Sequence, residues 1–213
     1  MFLLLFERSP LAAVALLVGA LIGIVLHEAS HAYSAYLLGD DTAYRMGRVT
    51  LNPASHLDPL GSLLIVLAGF GWGRPVPVQP AKLRGGVWGP VAVAFAGPTA
   101  NLAIVALCAV LIRLEPFQGQ LVLSSILGVA FVNALLFVFN LIPIPPLDGS
   151  KVLFPFLPRS LDGSVRFMNQ YGPQVLLVIF LLTFLPGGSY ILGFLLSPVR
   201  PLLLLFGIPP LLG

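Results

Sequence analysis

His27 and His31 stand four residues apart, with Glu28 directly after the first. On a helix that spacing brings both imidazoles to one face, where their nitrogens reach a single ion about 2.0–2.1 Å from each. Glu28 then lies beside the ion, placed to take a proton from a water that the ion activates. The chemistry predicted is metal-dependent hydrolysis. The surrounding segment, about 11–38, is apolar, and the three ionisable residues sit near its far end. The competing reading is a buried His–Glu hydrogen-bond network. Ionisable groups in a bilayer span cost on the order of several kcal/mol and are functional by default, which favours the metal.

Catalytic zinc commonly takes three protein ligands and leaves a position open. The remaining candidates are Glu7, Asp40, Asp41, Asp58, Glu115, Asp148, Asp162 and one further histidine, His56. Asp148 alone combines an apolar approach, residues 142–147, with a flexible Gly149 behind it. Its alternative role is to cap a helix after a proline turn, and the two roles are compatible because a carboxylate has two oxygens. His56 lies in a polar, solvated stretch with Asp58 two residues on, which suits a gating or accessory residue and makes it the rival ligand. Asn101 and Asn140 are amides in apolar runs. They suit the backbone of an unwinding substrate or its oxyanion, and equally well hydrogen bonding between helices.

The elements that must position these groups are membrane helices. Of 213 residues 58% are hydrophobic and 9% charged, and the mean hydropathy is +1.00. Such a chain cannot be a soluble globular domain. The fold class expected is an all-α polytopic membrane protein with about four to six transmembrane helices in a single domain, 1–213. The span carrying the histidines covers about 11–38, a surface loop and hairpin about 39–86, further spans about 87–114 and 120–142, a segment opening at Asp148-Gly149 about 146–157, and C-terminal spans about 172–185 and 190–210. The second span is expected to break at Ala96-Gly97-Pro98. Residues 60–70 are apolar but too few to cross a bilayer, so they are read as a re-entrant or interfacial hairpin. No internal repeat is seen.

The first residues lack the basic leader and small-residue cleavage site of a signal peptide. Cys108 is the single cysteine, which excludes an internal disulfide and reads as packing. The net charge of +3 comes from loop residues without a concentrated basic patch, so nucleic acid is not an expected partner. Eight of the 11 Lys and Arg fall in 39–86 and 146–169. The positive-inside rule then turns both candidate site segments toward the cytoplasmic face.

The His27-Glu28-x-x-His31 span, Gly97-Pro98-Thr99-Ala100-Asn101, and the run from Asn140 through Pro143, Pro145 and Pro146 to Asp148-Gly149 together resemble the site-2 protease family of intramembrane metalloproteases. Residues 47–61 and 71–77 resemble its compact prokaryotic branch. The likeness covers about 20–175. It implies peptide-bond hydrolysis in a prokaryotic cell membrane. One Zn²⁺ per chain is held by His27, His31 and Asp148, Glu28 is the base, and the substrate is a transmembrane protein or peptide. Against larger members, the chain is expected to lack an inserted PDZ domain and a C-terminal regulatory domain, with the helix that often precedes the histidine span reduced to residues 2–6. The rival functions are a silent membrane metal-binding scaffold and a metal or ion transporter. Nothing in the sequence fixes an oligomeric state.

Overall fold

The computed structural model describes residues 10–68, 71–114 and 119–209. Helix α1, Pro10–Leu37, is 28 residues of apolar sequence that begins on a proline, a favoured first position. At 1.5 Å per residue it is about 42 Å long, more than the roughly 30 Å of a bilayer core. It stops at Gly39, whose φ of 107° ends the helix. Arg84 caps it: its backbone N–H donates to the Leu38 carbonyl (2.8 Å) and its guanidinium to that of Leu37 (2.6 Å).

Short elements follow at the helix mouth: α2 Thr42–Arg45, α3 Pro53–His56 and α4 Pro59–Ala68. Asn52 starts α3 by accepting from Ala54 N at 3.1 Å, with Pro53 behind it. Asp58 does the same before α4, accepting from Gly61 N at 2.8 Å. With 10 residues α4 is too short to span. The chain comes back as an extended strap, 71–79, pinned antiparallel to Leu57 at Gly73. This is the hairpin that residues 60–70 predicted. Gly69 and Phe70 lie outside the described residues, as do residues 2–6, Glu7 and Glu115.

Two long helices then cross beside α1: α5, Trp88–Arg113, and α6, Gln120–Asn140. The three pack pairwise on one another. Small residues bring them together, as expected where lipid leaves no hydrophobic drive between helices. A β-carbon on Gly19 of α1 would lie 2.9 Å from Val129 Cα, and one on Gly23 would lie 2.6 Å from Asn133 Oδ1. After a proline turn come α7 Asp148–Leu153, α8 Asp162–Leu182, α9 Gly188–Leu196 and α10 Val199–Leu205. Val199 and Leu203 of α10 join Val105, Cys108 and Ala134 in the main apolar core, so Cys108 is a packing residue.

Four stretches are long and apolar enough to cross a membrane: Ala13–Leu37, Trp88–Arg113, Val122–Asn140 and Gly188–Leu205. The protein is an all-helical integral membrane protein. The segment expected to span at 172–185 falls mostly in the second half of α8, whose first half carries Arg166, Asn169 and Gln170, and it is not among those four stretches. One expectation needs correction. The break predicted at 96–98 does not occur, since α5 runs through Pro98. Prolines are tolerated in membrane helices because neighbouring groups satisfy the backbone.

Candidate metal and catalytic site

The C-terminal half of α1 carries His27, Glu28 and His31; α5 and α7 enclose it. Nε2 of His27, Nε2 of His31 and Oδ2 of Asp148 lie within 4.8 Å of one another, and all three residues are buried. Each imidazole is oriented by its other nitrogen. His27 Nδ1 donates to Asn101 Oδ1 at 2.7 Å, and His31 Nδ1 donates to the Val93 carbonyl at 2.7 Å.

The Asn101 orientation follows from its neighbours rather than from choice. Asn133 donates to the carbonyls of Gly19 (3.3 Å) and Val129 (2.9 Å), so its oxygen is left to accept. Asn101 Nδ2 donates to that oxygen at 3.0 Å and to the Gly23 carbonyl at 3.2 Å. Both amide hydrogens of Asn101 are used, and its oxygen must face His27. The proton of His27 is thereby fixed on Nδ1.

What remains is a triangle of acceptors. The two Nε2 atoms are 3.0 Å apart, and each faces Asp148 Oδ2, at 3.0 Å from His27 and 3.1 Å from His31. Two bare nitrogens and a carboxylate oxygen at these distances repel unless a positive charge, a proton or a metal ion, sits among them. Space for it is kept by Gly97, where a β-carbon would stand 2.3 Å from His31 Nε2 and 2.6 Å from His27 Nε2. The donor set, the outer hydrogen bonds and the glycine cradle fit a zinc ion.

Asp148 is the first residue of α7 and makes no capping bond. Its second oxygen accepts from Lys151 at 3.1 Å. Gly149 is required because α7 starts against the end of α6: a β-carbon there would fall 2.2 Å from Leu141 O. Asn140 closes α6 and donates to Leu136 O at 2.9 Å.

Glu28 is half-buried, and no protein hydrogen bond meets its carboxylate among the described residues. Its neighbour is the strap: a β-carbon on Gly73 would lie 3.3 Å from Glu28 Oε1 and 3.2 Å from His56 O. His56 is not in solvent, as the polar loop composition suggested, but fully buried. Its Nε2 donates to Thr50 O at 2.7 Å. Burial lowers its imidazole from the ordinary value, the Thr50 bond opposes that, and the Arg48 charge adds to it.

Arg48, which the sequence did not single out, is buried too. Burial lowers its guanidinium from the ordinary value, with the Glu28 carboxylate opposing and Arg74 adding. It donates to the carbonyls of Pro75 (3.2 Å) and Arg74. An apolar groove of about 220 Å³ between α1 and α4, lined by Leu17, Leu21, Ile24, Leu57, Ser62 and Ile65, opens one helical turn from Glu28.

Comparison with known proteins agrees with this chemistry. The model of peptidase family M50 matches residues 117–183. YwhC of Bacillus subtilis, which carries the name of a zinc metalloprotease, is 39% identical over 204 residues, covering 92% of this chain and 92% of its own. Rip2 of Mycobacterium tuberculosis, named likewise, is 33% identical over 185 residues, or 83% of this chain and 70% of its own. Rip2 of Mycolicibacterium smegmatis is 32% identical over 168 residues, covering 76% and 64%. No solved structure matches.

Proposed function

From the chain's membership of peptidase family M50, the site-2 protease family of zinc metalloproteases, we propose that it hydrolyses a peptide bond within or near a transmembrane helix of a membrane-protein substrate. The observation that carries this is the acceptor triangle of His27, His31 and Asp148 beside Glu28, set in the C-terminal half of a helix long and apolar enough to cross a bilayer. An apolar groove one turn away suits an apolar substrate segment.

His27, His31 and Asp148 would hold zinc. Zinc, when bound, supplies Lewis-acid chemistry: it polarises a carbonyl and acidifies water. The chain's own residues do the rest. Glu28 takes the proton of the attacking water on its carboxylate and returns it to the leaving amine, acting as base and then as acid. Asn101 orients His27 through Nδ1 and has no hydrogen left for a substrate, so its role is positioning. Asn140, at the end of α6 beside the proline turn, is assigned to the substrate backbone. His56 is an accessory residue whose carbonyl, like Glu28, borders the strap at Gly73. In this reading the whole of 1–213 acts as one catalytic domain in a prokaryotic inner membrane, and the excess of Lys and Arg in its loops supports a site on the cytoplasmic side.

The test uses purified protein in liposomes with a single-span model substrate whose helix is weakened by Gly or Pro. Wild type should retain zinc and cleave within the span; Glu28→Gln should retain zinc and cleave nothing. Cleavage by Glu28→Gln would remove Glu28 as base, and zinc flux without cleavage would favour a transporter.

A further inference from the structure

Among the described residues Glu28 has no hydrogen bond to fix its rotamer, yet a general base must be held within a fraction of an ångström. Its carboxylate meets the backbone of the strap at Gly73. The next residue of that strap, Arg74, is held at both its N–H and its carbonyl. Arg74 N–H donates to His56 O at 2.7 Å, and Arg74 O accepts from Arg48, whose other amino group reaches Pro75 O at 3.2 Å. The carbonyl of His56 is aimed in turn by its ring, which closes the 50–56 loop onto Thr50 O at 2.7 Å. Gly73 is pinned as well by its pairing with Leu57.

Both residues are buried, and each side chain keeps one nitrogen without a partner, Nε of Arg48 and Nδ1 of His56. A third such atom, Ser62 Oγ, is in the same stretch, so all the orphaned buried polar side-chain atoms among the described residues fall within 48–62. A buried guanidinium and imidazole kept at that cost, for three backbone carbonyls, those of Arg74, Pro75 and Thr50, are not filling space.

Resting on the protease reading above, we infer that Arg48 and His56 are positioning residues that clamp the Gly73-Arg74 backbone against Glu28. They act on the base through the strap and do not touch the metal ligands. Loss of the clamp therefore loosens the strap, lets Glu28 swing, and slows turnover without releasing zinc. The planar fork matters more than the charge: a lysine keeps the positive charge facing Glu28 but cannot reach two successive carbonyls with one fixed geometry.

The experiment compares wild type with Arg48→Met, Arg48→Lys and Gly73→Ala, in liposomes with the single-span model substrate. Zinc content, cleavage kinetics and deuterium exchange of the peptide covering 71–79 are read for each. In Arg48→Met, exchange in 71–79 should rise while α1 stays protected. Zinc should stay near one per chain, and kcat should fall about 10–100-fold with KM within about twofold, the scale expected for a misplaced catalytic group. Arg48→Lys should resemble Arg48→Met. Gly73→Ala keeps Arg48 but would set a β-carbon against Ile24 (2.8 Å), His56 O (3.2 Å) and Glu28 Oε1 (3.3 Å), so it should lower kcat with a smaller rise in exchange than Arg48→Met. Unchanged exchange in Arg48→Met, full rescue by lysine, or zinc lost in step with activity would each overturn the inference. Wild type that holds zinc and cleaves no single-span substrate would refute the protease reading itself, while the exchange data would still decide whether the clamp exists.

Discussion

Gly97 on α5 lies so close to His31 on α1 that a β-carbon would stand 2.3 Å from the imidazole Nε2. No rotamer change relieves this, because the intruding atom is fixed to a helix backbone and both ligand rings are held by their Nδ1 bonds. Gly97→Ala should therefore strike the metal site before the fold. Overpacking of this kind costs about 1–3 kcal/mol, or roughly 5–150-fold in zinc affinity. Titration with a competing chelator measures it; affinity equal to wild type would mean that zinc does not occupy the space Gly97 keeps open.

Asn101 separates two roles that its chemistry alone leaves equal. Its oxygen is needed by His27, and its two hydrogens are committed to Gly23 and Asn133. If it orients the ligand, Asn101→Ala should weaken zinc by about 10–100-fold, the usual effect of losing an outer-shell partner, whereas Asn101→Asp keeps an acceptor for Nδ1 and should hold zinc far better. If it donated to an oxyanion, both variants would keep zinc and lose turnover. Asn133→Ala should move zinc affinity in the same direction as Asn101→Ala, and stability by only about 1 kcal/mol, since hydrogen bonds between membrane helices are individually weak.

The two oxygens of Asp148 predict unequal consequences. Oδ2 faces the histidines and Oδ1 pairs with Lys151, whose side chain is 60% exposed. Asp148→Ala should abolish near-stoichiometric zinc. Lys151→Met removes a pair with one solvated end, worth less than about 1 kcal/mol, so zinc affinity should change by less than about fivefold and the change should shrink with added salt. A Lys151→Met protein as zinc-poor as Asp148→Ala would show that the ion pair, not packing, holds the carboxylate in place.

The sequence was most readable where residue type and spacing coincide with cost. His27, Glu28, His31 and Asp148 stand out because an apolar chain has few reasons to keep them, and the spans of α1, α5 and α6 follow from composition. The groups around them were hidden for identifiable reasons. Gly97 read as a helix break, since glycine before proline usually is one; its role as a cradle exists only once α5 lies across α1. His56 read as solvated because its neighbours are polar, whereas its burial comes from the strap folding back over it. Arg48 gave no local signal, its partners being carbonyls 26 and 27 residues away. The start of α8 at Asp162 was missed because hydropathy marks only its apolar half.

Asp40 ties the mouth of the site together, and its effect has a defined pH window. It is fully buried just after α1, where Oδ1 accepts from Thr42 N (3.0 Å) and Thr42 Oγ1 (2.5 Å) and Oδ2 accepts from Gln79 N at 2.6 Å. Burial acts to raise its carboxyl, but the bonds from Gln79 and Thr42 outweigh it and hold the group below its ordinary value of 3.8. A depressed folded value means that the unfolded chain binds the proton first, so this stabilisation is complete above the ordinary carboxylate value and fades as pH falls through it. Asp40→Asn leaves one of the buried N–H groups poorly met and should cost about 1–3 kcal/mol at neutral pH. Thermal unfolding in detergent should show a gap between wild type and Asp40→Asn that is constant from neutral pH down to about pH 5 and closes below about pH 4. A gap that persists unchanged into acid would mean that shape, rather than charge, is what Asp40 contributes between α1 and the strap.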